Sequence, residues 1–162
     1  MKQEEKDKLI LQLKIIRDSF FGNHVSAEDK QLLLEDLNAR LPYGVKVATI
    51  NPAAEFGVIS GISIKGKISV STKDADIVFE CTEVKPYLRP RSSMTDEERE
   101  ELRQEQIKDE QLFADCIINH PEMRGLTIPH FAADWCNKNH FDYRGLIEKN
   151  LAIAVTEENN PY

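Results

Sequence analysis

No apolar stretch in this chain is long enough to span a bilayer. The longest run, Leu151 to Val155, falls far short of the roughly 20 residues a membrane helix needs, so no membrane partner is expected. Cysteine is scarce as well. Cys81, Cys116 and Cys136 are an odd number without framework spacing, which argues against a disulfide-stapled secreted fold and for a reducing, cytoplasmic setting. Basic residues are in deficit, 21 against 28 acids for a net charge of -7. An acidic surface repels phosphate backbones, so generic nucleic-acid binding is disfavoured. The 7 glycines form no Gly-x-Gly-x-x-Gly, and no Gly-Lys-Ser or Gly-Lys-Thr follows them, which leaves no recognisable phosphate-cradling loop. The Gly57 to Gly61 stretch carries Ser60 one place too late for a nucleophile elbow. Neither a His-Glu-x-x-His nor an EF-hand pattern occurs, so no cofactor is expected and an enzyme activity has no cue. With no internal repeat, solenoids and propellers are out.

What is present is the balance of a globular protein, 41% hydrophobic and 30% charged over 162 residues, enough to bury a core unaided. Leu9, Leu13, Ile16 and Phe20 recur at helical spacing and predict an amphipathic N-terminal helix over 1–22, ended by Gly22 and Asn23. Its apolar stripe needs a cover, either the domain or a second copy of the chain, so a homo-oligomer through this helix is one expectation. A single α+β domain is predicted over 23–162. Ser26 is placed to cap a second helix whose stripe is Leu32, Leu33, Leu37 and Leu41, with Pro42-Tyr43-Gly44 as its stop. Short β-rich runs follow at 45–50, 57–64, 67–71 and 77–81, an antiparallel meander of three to five strands covered by helices.

Beyond the strands the patterns change twice. Lys85-Pro86-Tyr87-Leu88-Arg89-Pro90-Arg91 reads as a stiff extended connector, because each proline forbids helix at the residue before it. Thr95 and Glu98 form a capping box opening a helix that runs to about Asn119. Residues 95–122 hold ten acids against three bases, and the whole charge imbalance sits there. Further helices are expected around Phe131 to Trp135, capped by Thr127, and over Tyr143 to Lys149, with Leu151 to Val155 returning as an edge strand.

Three blocks of wording, LNARLPYGV at 37–45, KPYLRPRSSMTDEE at 85–98 and HFDYRGLIEKNLA at 140–152, resemble a family of small uncharacterised proteins of Bacteroides-type bacteria and their phages or prophages. The resemblance implies a bacterial or phage origin and brings no reaction, ligand or catalytic residue with it.

Two constellations bear on function. Cys116 with His120, and Cys136 with His140, are Cys-x3-His spacings that would put thiolate and imidazole on one helix face, a zinc-like set. Buried cysteines and surface histidines explain the same residues, and no metal is assigned. A small enzyme or a ligand- or metal-binding protein using the His120 to His140 region is the alternative reading. His130 with Asp134 adds a four-residue pairing that is common by chance. The second constellation is electrostatic: Lys85, Tyr87, Arg89 and Arg91 on the connector stand next to Glu97, Glu100 and Glu101 at the helix start. On this reading the chain is a noncatalytic interaction protein that binds another protein along a dipolar edge. The acids also have a plain explanation as a solvated helix face laced by Asp96–Arg99, Glu100–Arg103 and Glu105–Lys108 pairs.

Overall fold

A computed structural model of the chain describes Leu11 and residues 25–51, 56–119 and 132–162. The expected amphipathic helix over 1–22 lies outside the described residues apart from Leu11, as do Thr127, His130 and Phe131. Helix α1 (Ala27–Arg40) begins where Ser26 Oγ accepts from the Asp29 N–H at 3.0 Å. Strands β1 (Lys46–Thr49), β2 (Gly57–Ile62), β3 (Lys67–Ser71), β4 (Asp76–Glu80), β5 (Val84–Leu88) and β6 (Ile153–Ala154) make one sheet in the order β4-β3-β2-β1-β5-β6. Helices α2 (Asp96–Asn119) and α3 (Ala132–Lys138) follow, and short 3-10 turns stand at Leu41–Tyr43, Cys81–Glu83 and Arg91–Ser93. The α+β class holds, and all pairings are antiparallel except β5 with the short edge strand β6.

The imperfect alternation of β2 has a local cause. Ile59 stands opposite Val70 and Ile62 opposite Ile68, with a bulge between Ile59 and Gly61. The bulge adds one residue, so two isoleucines at odd spacing reach the same face while Ser60 stays exposed. Gly57 allows the close approach of β3: a Cβ there would fall 2.1 Å from Val70 Cγ1. The core forms where α1 lays Leu33 and Leu37 on Val45, Val47, Ile68 and Val70, all of them buried. A second cluster, Met94, Leu102, Cys136 and Phe141, joins α2 to α3.

Two expectations are corrected. The Lys85–Arg91 stretch is no connector: its first half is β5, lying inside the sheet between β1 and β6, with every residue of the strand buried. Pro86 is accommodated by register. The Ile50 N–H donates to the Glu83 carbonyl at 2.9 Å, which puts Ala48 opposite Lys85 in the next hydrogen-bonded position. Pro86 opposite Val47 then falls on a position from which β1 needs no N–H. Instead of a helix over 143–149, residues 143–145 are irregular and 146–150 form turns. Gly145 at φ +75° and Asn150 at φ 57° interrupt the helical backbone, and the two oxygens of buried Asp142 accept the N–H groups of Leu146 and Ile147. Asp142 is thus a cap, but of a turn. The stripe of α1 also shifts, burying Asp36 and Arg40 alongside Leu33 and Leu37 while Leu32 and Leu41 are half-buried.

Candidate interaction surface

The start of α2 is fixed by two sets of bonds. Thr95 and Glu98 close their capping box, the Thr95 N–H donating to Glu98 Oε2 at 2.9 Å and the Glu98 N–H to Thr95 Oγ1 at 3.2 Å. The same Glu98 carboxylate takes both terminal nitrogens of Arg89 at 2.7 and 2.9 Å, and these bonds, Arg89's first among them, hold its pKa below the ordinary carboxylate value. Arg89 also lies over the Phe141 ring, 4.1 Å from its centroid, and Phe141 stacks on Trp135 at 5.6 Å with the planes 6° apart. The chain Glu98–Arg89–Phe141–Trp135 therefore locks the first turn of α2 to α3.

Beside that engaged inner face, the flank of α2 next to Trp135 is open to solvent. Asp96, Glu97, Glu100, Glu101, Gln104, Glu105 and Lys108 line a shallow, open groove with Trp135. Three of the carboxylates are paired along the helix as expected: Asp96 with Arg99 at 4.0 Å, Glu100 with Arg103 at 2.8 Å, and Glu105 with Lys108. Bonds from Arg103 and then Gln104 bring the Glu100 pKa down to about 2, so it stays anionic through the neutral range. Glu97 and Glu101 have neither ion-pair nor hydrogen-bond partners among the described residues. The groove therefore offers negative charge beside a half-buried indole stacked on Phe141.

The cationic half of the expected edge is differently placed. Lys85 is 5% exposed, with Nζ donating to Asn150 Oδ1 at 2.9 Å, and burial lowers its pKa. Tyr87 is buried in the same strand, its ring 5.6 Å from that of Phe56. Arg89 is consumed by Glu98 and Phe141. Arg91 alone of the three cations is exposed, and it faces a separate cleft with Pro90, Ser92, Tyr143, Ile147 and Glu148. The expectation that these cations form a surface beside the acids is corrected accordingly: the strand pattern draws two of them inside.

The Cys-x3-His geometry also changes. Helix α3 ends at Lys138, and His140 adopts φ 60°, so Cys136 and His140 do not share a helix face. Cys136 is buried and its thiol pKa is raised by desolvation. His140 stacks on Tyr162, ring centroids 4.1 Å apart; burial, then Arg40, Arg89 and Lys46, push its pKa down to about 4. Its Nδ1 is buried without a hydrogen-bond partner. The side chain of Cys116 and the whole of His120 lie outside the described residues, and among those described no three His, Cys, Asp or Glu side chains gather as a metal set. No helix of the described residues is long and apolar enough to cross a membrane.

Sequence reasoning passed over the most buried charges in the molecule. Arg40 and Asp36, both fully buried, join through Nε–Oδ2 at 2.7 Å and Nη2–Oδ1 at 3.0 Å, and Arg40 Nη2 donates on to the Phe141 carbonyl at 2.8 Å. The signal was available: positions 33, 36, 37 and 40 are one helical face. No family model matches the chain, and no curated protein or solved structure matches it either.

Proposed function

We propose that the chain is a noncatalytic interaction protein, of bacterial or phage origin, which docks a basic segment of another protein on the acidic flank of α2 beside Trp135. The observation that carries this reading is the groove of five carboxylates, two of them without a partner among the described residues, set against Trp135. A lysine or arginine of a partner gains from Glu97 and Glu101 without first breaking an internal pair, and its aliphatic stem or guanidinium has an indole to lie on. Because Lys85 and Arg89 are drawn inside, the surface is predominantly anionic, with Lys108 as the cation among its lining residues, which selects basic partners and sets the association rate more than the final affinity.

A fluorophore-labelled peptide of alternating lysine and serine tests the reading. Binding should weaken about tenfold in the Glu97→Gln, Glu100→Gln, Glu101→Gln triple variant and should fade as ionic strength passes about 0.15 M, where the screening length is near 8 Å. The control neutralises Glu28, Glu157 and Glu158, three exposed acids elsewhere, which changes net charge equally. If the control loses as much binding as the groove variant, the attraction is to the whole acidic molecule and the groove is no docking site.

A further inference from the structure

One edge of β5 changes partner along its length. Backbone groups of residues 83, 85, 87 and 89 point to the same side of the strand. Glu83 and Lys85 meet β1, through the Ile50 N–H and Ala48 respectively. In the same register Lys46 stands next, and its N–H is due to donate to the Tyr87 carbonyl. It donates instead to Tyr162 Oη at 3.2 Å, and that hydroxyl donates to the Tyr87 carbonyl at 2.8 Å. One residue pair further on, the Arg89 N–H donates to the His140 carbonyl at 2.8 Å and the Asp142 N–H to the Arg89 carbonyl at 2.9 Å.

The phenol hydroxyl thus occupies a missing rung at a three-way junction of β1, β5 and the 140–142 segment. Its ring is held as specifically as its oxygen. It lies on the His140 imidazole with the planes 11° apart. Lys46 Nζ stands over it, 5.8 Å from the centroid, while also bonding the Pro161 carbonyl.

We propose that this junction is a binding slot for a phenolic ring, plugged in the structure by the chain's own Tyr162. The chemistry of the slot selects that class. A rung gap offers one donor and one acceptor, and a phenol hydroxyl supplies the matching acceptor and donor in a single atom. An unsubstituted aromatic ring would fill the stack but leave the Lys46 N–H without its acceptor, and an aliphatic alcohol would bridge the gap but leave the imidazole face bare. Although the residue as a whole is 43% exposed, desolvation at its hydroxyl raises the Tyr162 pKa to about 12, which keeps on the hydroxyl the proton that it donates to Tyr87. The slot lies apart from the acidic groove and does not depend on that reading.

The test uses the full chain and 4-methylphenol as probe, with NMR titration followed at the Lys46 amide and the His140 imidazole. In Tyr162→Ala the probe should produce saturable shifts at both positions. It should bind at least about tenfold more weakly to the unsubstituted chain, where Tyr162 must first leave, and toluene should bind the variant at least about tenfold more weakly than the phenol. Equal binding to both proteins, no binding to either, or toluene matching the phenol would overturn the proposal. Should Tyr162→Ala not fold, Tyr162→Phe keeps the ring and deletes the hydroxyl. Exchange of the Lys46 amide should then accelerate at least about tenfold, and unchanged protection would show that the strands close the rung by themselves and that no slot exists.

Discussion

Two neighbouring stretches of charge meet opposite fates in this fold. Lys85 and Arg89 are drawn into the sheet and its margin, one bonded to Asn150 and the other clamped between Glu98 and Phe141. The acids of α2, which begin only a few residues later, line an open groove. The difference comes from the pattern in which each charge is set. Lys85 and Arg89 alternate with Val84, Pro86 and Leu88 in a β-compatible run, so the strand that buries its apolar neighbours carries them with it. The acids of α2 repeat around a helix whose first turns engage the rest of the molecule through Leu102 and Glu98 and leave the other acids there exposed. Inside, charges act as staples whose loss leaves a buried partner unpaired; outside, they act as a field screened by salt.

The largest effect in this comparison belongs to the most interior staple, Asp36–Arg40. Arg40→Ala should destabilise the protein by about 3 kcal/mol in urea denaturation, because it leaves a fully buried carboxylate with only the longer contact to Arg144 Nε at 3.5 Å and cuts the tie from α1 to the Phe141 carbonyl. Replacing the pair together, Asp36→Leu with Arg40→Met, should cost much less, since neither charge is then left alone. A double variant as unstable as the single one would mean that the pair contributes through geometry that apolar side chains cannot replace.

Arg89 is next. Arg89→Gln removes two charge-assisted bonds to Glu98 and the cation over Phe141, a loss of about 2 kcal/mol at neutral pH for a pair whose side chains remain about a quarter exposed. The pH dependence separates the bridge from the stack. Arg89 holds the Glu98 pKa below its ordinary 4.5, so the contribution of the bridge is complete above that value and is lost as pH falls through the lowered one. The stability gap between the two proteins should therefore narrow on acidification. A gap of the same size at pH 7 and near pH 2 would assign the whole effect to the ring contact.

These staples mark the boundary of what the sequence made legible. The first four strands, the Ser26 and Thr95 caps, the edge strand near Ile153 and the three ion pairs along α2 all follow from local rules, because each is written in residues a few positions apart. The status of Lys85 and Arg89 is not local. Two prolines in seven residues favour extended backbone, but a linker and a strand are both extended, and only the register against β1 shows that Pro86 falls where no N–H is required. Asp36 and Arg40 share the Leu33–Leu37 face in the sequence, but the partner that satisfies Arg40 there is the Phe141 carbonyl, far along the chain and not legible from local spacing. Tyr162 carries no sequence signal at all, since its role is to complete a rung between strands that its own position does not predict. The acidic half of the candidate surface was legible because a solvated helix face needs nothing from the rest of the molecule.

The smallest expected effect lies at that solvated end and sharpens the contrast with the staples. Arg103 is 64% exposed and its partner Glu100 52%, so both ions keep most of their water and the pair should add little to stability. Arg103→Ala should leave the urea midpoint unchanged within error, although the Glu100 carboxyl loses the Arg103 bonds, the largest cause of its lowered pKa, and keeps the bond from Gln104. What should change is binding. With Arg103 gone, Glu100 is free to join Glu97 and Glu101 in meeting a cation, and one repelling charge is lost from the flank of the groove. The lysine–serine peptide should bind about two- to threefold more tightly at low ionic strength, with the gain disappearing above about 0.15 M. An unchanged midpoint with weaker binding would mean that Arg103 itself contacts the peptide, and the reading of the groove as an anionic face would fail.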